Sequence, residues 1–273
     1  MKAQRRDNKV KKLYVISTSK IFINSGSFMR KVPFLLFFSF ATAFSQIETA
    51  QQLIIAVAPD WNSTTGSMYL FEMSNNGWMQ SNMPWKVNFG DSGLVWAEGI
   101  HENPDGVRMK VEGDHRSPAG VFELGGIYGY GAEAPAGVTY PYHQSTRTLH
   151  AVDDRNSVFY NSLVDENDVV CDSAGHLPWK SSEHMVIDSV DYKFAIPVRM
   201  NPQAVPGKGS CIFIHLERVS APATLGCTSM AEPNMIFLMQ WLNPSKKPLL
   251  VQLPKAEFTK YLMEWHLPVP SRN

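Results

Sequence analysis

His215 and Cys227 are the two side chains whose type and setting permit nucleophilic chemistry. His215 lies in the apolar run Cys211-Ile212-Phe213-Ile214-His215-Leu216, where an ionisable group needs a partner or an open pocket. Cys227 lies in the small-residue turn Thr224-Leu225-Gly226-Cys227-Thr228-Ser229-Met230, which exposes its sulfur and nearby backbone N–H groups. The two are twelve residues apart, enough for a strand to end, turn over at Ser220-Ala221-Pro222 and return beside itself. An imidazole there is expected to lower the thiol from about 8.5 into the range of about 3.5–7.5 seen for activated thiols. Gly226 leaves room for a carbonyl, and the N–H of Gly226 or Cys227 is the expected oxyanion donor, with Thr224 supporting the turn.

Cys211 is the rival nucleophile. Within one strand it shares a face with His215, but four residues at ~3.3 Å each set the Cα atoms about 13 Å apart. Cys227 is therefore the better choice. Cys211, His215 and Cys227 could also ligate zinc, although their spacing is irregular and no CxxC pair is present. A Cys171–Cys211 disulfide is a further option, and a buried thiol with a satisfied core imidazole is the plain structural alternative.

The elements that must position these groups read as strands. Leu53–Ala58 is a continuous apolar run ended by Pro59-Asp60, and Pro248–Leu253 also reads as a strand. Asn75-Asn76-Gly77 between strand-like segments signals a hairpin. Val107–Val111 and Met185–Ile187 alternate, and Tyr192–Ile196 and Cys211–Leu216 complete the set. Helical period occurs at Met235, Leu238, Met239 and Leu242, opened by Pro233 and stopped by Asn243-Pro244. It recurs at Phe258, Tyr261, Leu262 and Trp265, before Pro268. Short strands, Gly/Pro punctuation and few helices predict a mainly-β fold, with 46–273 as a single domain. Residues 125–182 are the least regular and read as long loops.

The charge is uneven. Nine Lys/Arg and one acidic residue fall within 1–45, which leaves 16 basic and 24 acidic groups, a net of −8, for 46–273. An acidic body argues against a nucleic-acid partner. Arg30-Lys31, the apolar run Val32–Phe40 and the small residues at Ala41–Ser45 have the layout of a secretory signal, with 1–28 as a basic extension. The run is shorter than the ~20 residues needed to span a bilayer. An exported protein of the periplasm or cell envelope is expected, with no membrane span after cleavage.

The segments Gly209–His215 and Thr224–Met230 together resemble the L,D-transpeptidase catalytic domain family (YkuD-type), in a divergent exported bacterial branch. Ser117-Pro118-Ala119-Gly120-Val121-Phe122 is similar to the family's Ser/Thr-Pro-x-Gly-x-Phe strand turn. Val152-Asp153-Asp154, Phe159-Tyr160-Asn161 and Trp179–Met185 also look like that branch, so the likeness covers roughly 51–254. It implies a β-rich catalytic fold and a Cys/His acyltransferase acting on peptidoglycan stem peptides, without a cofactor. Cys227 would attack the carbonyl of the third stem residue and His215 would act as base. An amine of another stem, or water, would resolve the thioester. Thr224, Leu225 and Ser229 stand where the better-known branch has Ser, His and Arg, and Leu216 replaces a Gly. Transfer and hydrolysis both stay open, as do a thiol peptidase or amidase and an inactive wall-binding domain. Arg116, Asp153 and Asp154 are candidates for lining the site; for Arg116 and Asp154 the role would be substrate binding. A solvated turn is the competing role for all three.

Overall fold

A computed structural model describes residues 47–187, 189–218 and 220–271, all within the unit Ser39–Asn273. The expected leader lies outside the described residues. In chain order the first strands are β1 (Gln52–Ala58), β2 (Thr65–Ser74), β3 (Gly77–Gln80), β4 (Trp85–Asn88), β5 (Leu94–Trp96), β6 (Ser117–Glu123), β7 (Ile127–Gly129) and β8 (Tyr142–Gln144). They are followed by β9 (Leu149–Val152), β10 (Ser162–Asp165), β11 (Ser182–His184), β12 (Phe194–Pro197), β13 (Phe213–Leu216), β14 (Thr228–Met230) and β15 (Leu249–Pro254). Two α-helices are α1 (Glu232–Trp241) and α2 (Lys255–Tyr261). The protein is β-rich, as its short apolar and alternating runs predict.

The apolar run of β1 is buried on both faces because β1 lies inside the main sheet. It pairs antiparallel with β2 and parallel with β15, Leu53 facing Leu249. The sheet has twelve strands in the order β5-β6-β15-β1-β2-β4-β14-β13-β12-β7-β8, with β3 attached to β2. The β2–β3 connection is the hairpin that Asn75-Asn76-Gly77 signals, with Gly77 at φ 98°. Met235, Leu238 and Met239 of α1 and Phe258 and Tyr261 of α2 join the same apolar core. α1 packs on β13, and α2 on β15 and β1.

A second sheet, β10-β9-β11, has three strands. It occupies part of the block expected to be loops: its outer strands β10 and β11 are short and have no buried residue, and the buried central strand β9 is only four residues long and includes His150, so none carries the long apolar run that marks a buried strand. Three other expectations shift. Val107–Val111 makes one bridge, Trp96 to Met109, and is no strand, being flanked by Gly106 and Gly113 at positive φ. The expected strand over Met185–Ile187 ends earlier, at His184. Cys211 lies outside β13 at φ 52°, so the single-strand spacing to His215 does not apply.

Candidate active site

The site is set by the register of two parallel strands. β13 and β14 lie side by side, with Ile214 opposite Thr228 and His215 opposite Ser229. Cys227 directly precedes β14 and so sits across from Phe213, whose N–H donates to its Sγ at 3.3 Å. Phe213 and His215 point to one face of β13. The strand end and the turn therefore bring the imidazole and the thiol to one cavity of about 680 Å³, lined also by Lys110, Glu183, Tyr192 and Cys211.

His215 Nδ1 donates to the Leu216 carbonyl at 2.8 Å. That places the proton on Nδ1 and leaves Nε2 as the basic nitrogen. The Tyr192 ring meets the imidazole edge-on with centroids 5.4 Å apart. Asp191, ion-paired with Arg218, lies alongside.

The turn carrying Cys227 is held by hydroxyls. Thr224 Oγ1 donates to the Cys227 carbonyl at 2.6 Å and accepts from the Gly226 N–H at 3.1 Å. Ser117 Oγ donates to the same carbonyl at 2.8 Å, which gives the Ser-Pro-Ala-Gly segment a structural purpose. Gly226 has φ 138°, and a Cβ there would meet the Arg116 carbonyl at 3.2 Å and Ile212 Cδ1 at 3.3 Å. The Gly226 N–H is thus already bound, whereas the Cys227 N–H has no partner among the described residues. Of the two N–H groups expected as oxyanion donors, only that of Cys227 is left without a partner among the described residues.

Electrostatics correct the expected thiol activation. Burial pushes the Cys227 thiol up to about 12, and the Glu183 carboxylate adds to the rise. The Phe213 N–H and the Lys110 ammonium act in the opposite direction without reversing it. Burial also holds the His215 imidazole below its usual value, against the Leu216 hydrogen bond and Asp191. The resting pair is a neutral thiol beside a neutral imidazole. Spacing gave the proximity of the two groups; it carried no information on how far the pocket excludes water.

The other candidates separate. Cys211 shares the cavity, but its Sγ donates to the Val152 carbonyl at 3.4 Å and burial, first among several causes, raises it well above the ordinary thiol value. Cys171 is exposed and all three cysteines are free. Among the described residues no three His, Cys, Asp or Glu side chains cluster as metal ligands. The Arg116 guanidinium turns away from the cavity to donate to the Trp61 and Leu94 carbonyls at 3.1 and 3.0 Å. Asp154 organises a turn by accepting from the Asn156 and Lys180 N–H groups at 2.9 and 2.8 Å, and only Asp153 of that pair reaches the cavity. Lys110, Glu183 and Tyr192 are lining residues that sequence reasoning did not single out, and Ser117 was marked only as part of a strand turn.

A thiol, a neutral imidazole and a free N–H around one cavity are the groups needed for acyl transfer through a thioester. Residues 41–251 match the model of the L,D-transpeptidase catalytic domain (YkuD). No curated protein and no solved structure matches the chain. The match takes in most of the chain, with Ser117, His215 and Cys227 inside it, and the chain belongs to the L,D-transpeptidase catalytic domain family.

Proposed function

We propose that this protein is an exported cysteine acyltransferase that remodels or cross-links peptidoglycan stem peptides through a thioester on Cys227, with His215 as base. The observation that carries the reading is the parallel β13–β14 register, which delivers Nε2 of a fixed tautomer and a thiol to one cavity.

The chemistry follows from the neutral resting pair. As Sγ attacks the stem carbonyl, its proton passes to His215 Nε2, so a free thiolate need not accumulate in a pocket that disfavours it. The carbonyl π pair moves to oxygen and is met by the Cys227 N–H. The C–N bond breaks, the leaving amine takes the proton from the imidazolium, and the C–S bond remains. An acceptor amine then attacks the thioester, loses a proton to Nε2, and the cysteine sulfur leaves and is reprotonated. Water in place of the amine gives hydrolysis. Because burial lowers the His215 value, the acid limb of kcat/KM is expected below the ordinary histidine range.

The test is intact-protein mass and product analysis after incubation with purified muropeptides or a carbapenem. The wild type should gain one acyl adduct and turn over stems. Cys227→Ala should lose both, His215→Ala should lose turnover, and Cys211→Ala should retain both. An adduct mapped to Cys211 would overturn the choice of nucleophile. A folded protein with neither adduct nor turnover would favour an inactive wall-binding domain.

A further inference from the structure

Lys110 is a buried cation in the cavity wall for which the proposed chemistry has so far had no use. Its side chain is 4% exposed, and the partner Asp114 side chain is 1% exposed. Nζ donates to Asp114 Oδ1 at 2.7 Å and to the Arg116 carbonyl at 2.7 Å. An ammonium has three protons, and the third has no partner among the described residues. That third proton is left for a group in the cavity that Lys110 lines.

The ammonium lies against the turn at Gly226. A Cβ at that glycine would lie 3.6 Å from Lys110 Nζ, so the absent side chain leaves the ammonium facing the turn that carries the nucleophile. The Gly226 N–H is taken by Thr224 Oγ1, which leaves the Cys227 N–H as a lone neutral donor. No cation comes from position 229: Ser229 is buried, and its hydroxyl donates to the Pro222 carbonyl at 3.3 Å. The remaining charges around the cavity are Glu112, Asp153 and Glu183 on one side and Asp191 with Arg218 beside His215. His184, His115, Tyr192 and Cys211 complete its titratable lining. Lys110 is the cation that counters burial at the Cys227 sulfur.

We propose that Lys110 is a catalytic residue whose ammonium faces the negative charge formed at Cys227, first on sulfur and then on the carbonyl oxygen, so that the oxyanion pocket is Lys110 Nζ plus the Cys227 N–H. This rests on the acyl-transfer reading above. Lys110 takes no part in the proton transfer: it donates a hydrogen bond while the thiol proton travels through His215 to the leaving amine.

The experiment compares wild type with Lys110→Met, Lys110→Arg and the double variant Lys110→Met/Asp114→Asn, which avoids stranding a buried carboxylate. Circular dichroism first establishes that each is folded. Two readouts follow: muropeptide kcat and KM, and the rate of Cys227 alkylation by iodoacetamide against pH. Loss of the cation should lower kcat by about 10²–10³-fold with KM little changed. It should also move the alkylation profile to higher pH, and Lys110→Arg should recover part of both. A folded double variant with wild-type kcat and an unshifted profile would overturn the proposal. If the wild type itself turns over no muropeptide, the acyl-transfer reading fails and alkylation alone decides. An upward shift then supports the coupling of Lys110 to Cys227, and an unshifted profile overturns it.

Discussion

The cavity has two walls of different construction. One is the β13–β14 ladder of the main sheet, where Phe213, Ile214, Thr228 and Ser229 are almost fully buried and the reactive groups are fixed by strand register. The other comes from the small sheet β10-β9-β11, whose outer strands β10 and β11 have no buried residue, and its neighbouring loops, which bring Glu112, Asp153 and Glu183 to the cavity. The first wall decides where the Cys227 thiol is. The second decides the charge it faces, since Glu183 raises Cys227 and its carboxylate accepts a hydrogen bond from the Tyr192 hydroxyl, whose ring packs on His215. Position and reactivity are therefore supplied by separate parts of the chain.

The sharpest way to break this contrast is to weaken each wall in turn. Phe122 is fully buried in the main sheet, opposite Leu250, and Phe122→Ala should cost about 3–5 kcal/mol in urea unfolding. Leu163→Ala, in the half-exposed small sheet, should cost well under half of that. Equal losses would mean that the small sheet is as much a part of the folding core as the large one.

The scaffold also has its own histidine, and its burial is expected to make the fold acid-sensitive. His101 Nδ1 accepts from the Val121 N–H at 3.1 Å among Trp96, Phe122 and Trp265, and burial lowers it to about 4. The unfolded chain takes up this proton near 6.5 and the folded chain resists it until about 4, so stability is intact above 6.5 and falls as pH drops between the two. The loss should approach about 3 kcal/mol in the wild type at the lower end of that window. Urea midpoints measured across it, in wild type and His101→Gln, check this; equal acid sensitivity of the two would remove His101 as the cause.

The smallest effect tests the second wall directly. Glu183→Gln removes a carboxylate that raises Cys227, so alkylation at fixed pH should accelerate, by about tenfold for each pKa unit removed. An unchanged rate would remove Glu183 as a cause of the rise.

How much of this was legible in the sequence follows the same division. Continuous apolar runs such as Leu53–Ala58 announce themselves because two-sided burial allows little else. The nucleophile turn was readable because a positive φ and a crowded Cα demand the glycine at 226. Lys110 was hidden because it alternates with its neighbours as a strand's polar residue would. Its burial depends on Gly113, at φ 76°, returning Asp114 to meet it. Cys211 read as part of a strand because no residue type announces its φ of 52°. The direction of the Cys227 shift was misread for a related reason: it depends on solvent exclusion by segments far away in sequence, Glu183 among them.

The pairing of β1 with β15 bears on how the chain reaches this state. β1 can zip to β2 as soon as both are made, yet its other edge stays bare until Leu249–Pro254 is available. The interior of the main sheet therefore closes through contacts of very long sequence separation, which makes assembly slow and late. Until then an apolar strand edge stands open as a template for other chains, and a polypeptide cut short before Leu249 would keep that edge for its lifetime.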